Sequence, residues 1–269
     1  MPDAASIFVD GAAGRLHLTD HGGSGPVVLA LHGVTGGGFL WSAMARELAG
    51  RVRMVTLDFR GHGRSDWSSE RMYETQDHVA DLKLVFDQVD FGSHPVSVIG
   101  SSWGALAAIS LLSEMPELAS HLMIVDVEPS FTAGEQDVFP RPYRFSRPED
   151  VVAWEGRANP QASPEGIAAF AAASVVRTED GHLLRRHDPF FLTRWPFRKD
   201  DLWRELSGLA QKVRVVHGAE SFVRREVCER MAALSPGWSF AQIPRSGHLV
   251  PLEQPALLAR QLRDFLGLA

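Results

Sequence analysis

Gly100-Ser101-Ser102-Trp103-Gly104 sets a serine between two glycines, directly after the apolar run Val96–Ile99 and just before an alanine-rich stretch that begins at Ala105. The spacing G-x-S-x-G at a strand-to-helix junction suits a nucleophile. The chain turns sharply, small flanking residues relieve the crowding, and the Ser102 hydroxyl stands at the apex. The helix that follows offers unbonded N–H groups and a positive dipole end, where a developing negative oxygen is stabilised. The Trp103 N–H is the donor expected on that side. Ser101 precedes the apex and is expected only to support it.

A serine attacks a carbonyl well only when a neighbouring base takes its proton. His248, in PRSGHLVPLEQP, falls in a loop between the last expected strand and the last expected helix. That placement brings an imidazole over the serine. His32 and His62 lie beside glycines in loops near the same edge and are expected to shape backbone. A second oxyanion donor is expected from Val34 in LHGVTGGG, where the chain leaves a buried strand. Gly36 to Gly38 permit close backbone approach there. A phosphate-loop reading of those glycines fails, because G-x-x-x-x-G-K-[ST] is absent and no lysine is near.

Bringing Ser102, His248 and Val34 to one place requires strands that end at a common edge. GPVVLALHG reads as a buried strand, and FLWSAMARELAG as a helix closed by Gly50. RVRMVTLDFRGHGRSD is a strand and then a loop shaped by Asp58, Arg60 and Asp66. TQDHVADLKLVFDQVD has helical apolar spacing, and VSVI, a helix over about 105–115 and LMIVDV follow. The rhythm stops after Pro129. Residues 131–205 are rich in proline, arginine and aromatics, with short helical pieces and no strong strand. QKVRVVHG, REVCERMAAL, WSFAQIP and QPALLARQLRDFLG then resume the alternation. The pattern predicts an α/β fold with a mostly parallel central sheet and right-handed crossovers. The core covers 1–130 and 206–269, and 131–205 form a mainly helical cap inserted into it.

Composition agrees with one such unit. A chain of 269 residues, 45% hydrophobic, buries a large core without disulfides or structural metal. Cys228 is the single cysteine, so no intrachain disulfide is possible. With no basic-then-apolar leader at the start, this points to the cytoplasm. No apolar run approaches the roughly 20 residues of a membrane span. A net charge of −6 argues against nucleic acid as a partner. Metal-ligand spacings are absent, and the expected chemistry needs no metal or organic cofactor.

The ordered set HGVTGGG, DFRGHGRSD, GSSWG, VRVVHG and PRSGHLVPLEQP resembles the α/β-hydrolase fold superfamily over nearly the whole chain. The resemblance implies a Ser–His–acid triad, but the usual acid is missing. Its G-x-x-D pattern after VRVVHG reads Gly218-Ala219-Glu220-Ser221 here. Two acids remain as replacements. Glu220 lies one residue off, and Asp126 ends the strand after the elbow helix. VDVEP and GAESFV resemble a branch that includes short-chain esterases and 2-(acetamidomethylene)succinate hydrolases. That branch carries its acid after the family's sixth strand and a serine where the seventh strand's acid would be. The resemblance implies Asp126 as the acid and Ser221 as an auxiliary hydrogen-bonding group. AWEGRANP resembles a stretch of the succinate-type hydrolase with a substrate-binding arginine, which implies Arg157, although the tyrosine that follows there is Ala158 here.

The expected activity is hydrolysis of a small ester or amide by a serine enzyme of the carboxylesterase or amidase type. An acidic group on the substrate would suit a cap that holds ten arginines between Arg141 and Arg204. A proline-iminopeptidase-like aminopeptidase, a thioesterase, a C–C bond hydrolase and a non-enzymatic ligand receptor on the same fold are the alternatives.

Overall fold

A computed structural model describes residues 4–92, 95–131 and 141–268. The first two strands, β1 (Ala5–Gly11) and β2 (Gly14–Asp20), form an antiparallel hairpin that the strand and helix reading of the sequence did not include. The alternation then runs β3 (Val27–Leu31), α1 (Ser42–Glu47), β4 (Arg53–Asp58), α2 (Thr75–Gln88), β5 (Val96–Ser101), α3 (Trp103–Glu114) and β6 (Ala119–Val125). The segment between β6 and the next strand of the large sheet, most of it expected as a cap, holds β7 (Arg144–Phe145), α4 (Pro148–Ala158), α5 (Pro164–Ala173), β8 (Val175–Arg177), β9 (Leu183–Arg185) and α6 (Trp203–Ser207). The core resumes with β10 (Lys212–Gly218), α7 (Arg225–Ala232), β11 (Ser239–Ile243), α8 (Val250–Glu253) and α9 (Pro255–Leu266).

The eight-stranded sheet has the order β1-β2-β4-β3-β5-β6-β10-β11 and is parallel from β4 to β11. Its inner strands bury both faces, as expected when helices cover a parallel sheet on both sides. β3 shows the period of two directly. Val27, Leu29 and Leu31 enter the core shared with α2 and α3, and Val28 and Ala30 enter the one shared with α1 and α9. α3 is buried from Trp103 through Leu112, so its sequence is apolar all round.

The cap contains a three-stranded antiparallel sheet, β7-β9-β8, where no strong strand was expected. Strands of two or three residues are too short to show an alternation. Phe145, Val151, Ala171, Val175 and Leu183 form a small core of its own. The segment docks on the glycine loop after β4. Gly63 N–H donates to the Arg186 carbonyl at 2.6 Å, Asp188 N–H to the Gly61 carbonyl at 2.8 Å, and the Tyr73 hydroxyl to Asp188 at 2.6 Å. Among the described residues no helix is long and apolar enough to cross a membrane.

Candidate active site

The turn between β5 and α3 requires both flanking glycines. A Cβ on Gly104 would lie 2.4 Å from the Leu31 carbonyl oxygen, and one on Gly100 would lie 2.5 Å from the Ala105 backbone. Ser102 itself has φ 52° and ψ −124°, a conformation that costs an L residue energy. Hydrogen bonds hold it on both sides: its N–H donates to the Val125 carbonyl, and its own carbonyl accepts from Ala105 N–H, each at 2.9 Å. The side chain reaches a cavity of about 430 Å³ whose wall also includes Gly33, Val34, Asp126, Phe222 and His248. Ser101 is fully buried.

β5 and β6 run side by side with Ser101 opposite Val125, so Ser102 and Asp126 leave adjacent strand ends. Asp126 is fully buried, with φ 54°. Three donors meet its carboxylate. Gly218 N–H bonds Oδ1 at 2.8 Å, the Ser221 hydroxyl bonds Oδ2 at 2.5 Å, and His248 Nδ1 lies 2.7 Å from Oδ2. A proton on Nδ1 would satisfy this contact and leave the second ring nitrogen as the acceptor. The Phe222 ring covers the imidazole, with centroids 4.6 Å apart.

Glu220 is directed elsewhere. Its carboxylate accepts from Gln161 Nε2 at 2.6 Å, and its N–H donates to the Ser246 carbonyl at 2.8 Å. Glu253, which the sequence reading did not single out, holds the histidine loop. It is buried and accepts from Gly247 N–H at 2.6 Å and from the Ser246 hydroxyl at 3.2 Å, while burial raises its pKa. Its place five residues after His248 in a short helix was the available signal.

The loop after β3 lies against the serine: a Cβ on Gly33 would be 3.0 Å from Ser102 Cβ. His32 shapes it by bonding the Gly33 carbonyl through Nδ1 at 2.7 Å and accepting Phe59 N–H on Nε2 at 3.0 Å. Thr35 has φ 61° and is pinned from three directions. Its N–H donates to His62 Nε2 at 3.1 Å, its hydroxyl donates to the Val34 carbonyl at 2.7 Å, and that hydroxyl accepts from Arg141 Nη1 at 2.6 Å. Burial keeps both His32 and His62 neutral, lowering the His62 pKa well below its usual value. Trp103 is the first residue of α3, where backbone N–H groups lack an intrahelical acceptor. Its indole is buried and donates to Thr75 Oγ1 at 2.9 Å.

Arg157, expected at the substrate, is exposed on α4 and does not line the cavity. The buried face of α4 carries Val151 and Glu155, four residues apart. A residue two places after Glu155 points roughly the opposite way. The cap arginines in the cavity wall are Arg141 and Arg198, beside Phe170, Trp195 and Phe197.

The alpha/beta hydrolase family model matches residues 27–261. The chain belongs to the alpha/beta hydrolase family. It is 28% identical over 268 residues to lipase LipV of Mycobacterium tuberculosis, covering 94% of this chain and 98% of the lipase. It is 27% identical over 265 residues to a 3-hydroxybutyrate-oligomer hydrolase of Cupriavidus necator, covering 90% and 88%. The solved structure of E-2-(acetamidomethylene)succinate hydrolase superposes with a TM-score of 0.85 at 21% identity, covering 98% of this chain and 99% of that one. The chain is thus an enzyme of the hydrolase class, and its relatives include proteins named as esterases, lipases and other hydrolases, and one named as a putative synthase.

Proposed function

We propose that the protein hydrolyses an ester or amide bond of a small molecule through a Ser102–His248–Asp126 triad and an acyl-enzyme. The observation that carries this reading is the Asp126 carboxylate at 2.7 Å from His248 Nδ1, in a cavity whose wall includes Ser102. His248 takes the Ser102 proton through its second ring nitrogen as the hydroxyl attacks the carbonyl. Asp126 holds the ring and stabilises its charged form. The Val34 and Trp103 N–H groups receive the oxyanion, and one such donor is worth roughly 2.7–4 kcal/mol. The protonated imidazole gives its proton to the leaving alcohol or amine. Water, activated by the same histidine, then cleaves the acyl-enzyme. Ser221 supports the acid through its bond to Asp126.

Turnover of p-nitrophenyl acetate and labelling by a fluorophosphonate probe test this directly. Ser102→Ala is expected to abolish both while keeping the wild-type circular dichroism spectrum. Labelling at another serine together with normal turnover would overturn the assignment.

A further inference from the structure

Arg141 stands where the segment after β6 meets the loop after β3, and part of its guanidinium has no partner among the described residues. Nη1 donates to Thr35 Oγ1 at 2.6 Å, while Nε is buried without a hydrogen bond. Among the described residues no carboxylate forms an ion pair with it. The acid whose field it feels, Glu155, is taken by Arg185, in a buried ion pair that Asn159 also contacts. Arg141, Arg185 and Glu155 together carry one net positive charge. Trp154 and Trp195 flank the Arg141 guanidinium at 6.0 and 5.9 Å from their ring centroids. Burial pushes its pKa down to about 10, so it is charged at neutral pH. A desolvated cation in a cavity wall is costly until an anion meets it.

The position of that charge relates it to the chemistry. Thr35, which Arg141 bonds, is the neighbour of Val34, and Gly33 on its other side lies against Ser102. An anion on Arg141 and a carbonyl at Ser102 would therefore belong to one small molecule. We infer that Arg141 binds a carboxylate of the substrate, so the substrates are small esters or amides with an acid group a few bonds from the scissile carbonyl. This deepens the serine-hydrolase reading and rests on it. A planar guanidinium suits a planar carboxylate.

The test compares monoethyl succinate with ethyl butyrate, which have acyl chains of equal length, one charged and one neutral, by pH-stat titration. Wild type is expected to favour the charged ester in kcat/KM. Arg141→Gln should lower that value for the charged ester about 10- to 100-fold more than for the neutral one, mostly through KM. Arg141→Lys should fall between them, and Arg177→Gln, at an exposed cap arginine, should keep the wild-type preference. A wild-type preference for the neutral ester, or an equal loss on both esters in Arg141→Gln, overturns the inference. A binding experiment separates this outcome from failure of the hydrolase reading. Ser102→Ala protein is titrated calorimetrically with succinate, glutarate and 3-hydroxybutyrate, alone and with Arg141→Gln added. Saturable binding that the second substitution removes upholds the anion site even if neither ester is hydrolysed. No binding by Ser102→Ala protein with a wild-type spectrum overturns it. If Arg141→Gln fails to fold, Arg141→Lys and the wild-type preference decide.

Discussion

Asp126 satisfies three donors from three separate segments: the end of β10, the loop after it, and the histidine loop. Its left-handed backbone, φ 54°, turns the carboxylate towards them from the end of β6. Ser221 occupies the position where the G-x-x-D pattern expects an acid, and its hydroxyl donates to Asp126. At this scale the acid is the sharpest prediction. An amide in place of the carboxylate favours the wrong imidazole tautomer, which in a related triad lowered turnover about 10⁴-fold. Asp126→Asn should therefore reduce kcat by orders of magnitude, with Ser221→Ala intermediate. Glu220→Gln should change kcat by no more than a few-fold, because Glu220 bonds Gln161 instead. Steady-state kinetics of the three variants check this, and a crippled Glu220→Gln beside an active Asp126→Asn would reverse the assignment.

At the scale of elements, the turn before α3 and the helix α4 make opposite demands on glycine. α3 crosses β3 so closely that Gly104 has no room for a side chain, its Cβ position being 2.4 Å from a backbone oxygen. Backbone cannot move aside as a flexible side chain can, so Gly104→Ala should destabilise by about 3 kcal/mol or more and displace Ser102. Gly156, within α4, would place a Cβ 3.9 Å from Ile167 Cγ2, an ordinary contact. Gly156→Ala should stabilise by about 0.5–1 kcal/mol through helix propensity. Urea denaturation midpoints of the two variants should shift in opposite directions. A Gly104→Ala protein with wild-type midpoint and turnover would contradict the packing account.

Across the whole molecule, histidines concentrate where the cap docks on the core. His62 and His187 are buried there, His78 is buried against Phe59 and Trp103, and with His32 all have pKa values lowered chiefly by burial, His187 to about 4. Each is neutral in the folded state, while the unfolded chain takes up a proton below about pH 6.5. Stability is therefore full above that pH and is lost as pH falls through the window, by up to about 1.4 kcal/mol per pH unit per histidine. Asp200, raised to about 6, and Glu253 work in the opposite direction, because the folded state holds their protons more tightly. Burial lowers His21 and His121 as well, so among the described residues six histidines stand against two carboxylates and the net effect is a loss. The Tm should fall between pH 7 and pH 5, and a flat or rising Tm by calorimetry would show that the carboxylates dominate.

What the amino-acid sequence determined by itself is carried by short-range signals. The strand–turn–helix around Ser102, the loop of His248 and the serine at 221 are local patterns, and parallel strands then bring their ends together at one edge. The place of Asp126 beside Ser102 was also readable, because it ends the strand adjacent to the one that carries the serine. The N-terminal hairpin and the small cap sheet gave weaker signals, since their pairing partners and short strands leave little periodicity. Only the tertiary structure decided that Arg141 and Arg198, and not Arg157, reach the cavity wall. Arg157 and Arg141 are equally charged in the chain. One lies on the outer face of α4, while the other is carried under Trp154 and Trp195 onto Thr35, more than a hundred residues earlier. The same holds for Glu253 and His62, whose roles depend on loops they meet only after folding. A side chain's direction in a cap is set by the packing of that cap on the core, and no local pattern encodes it.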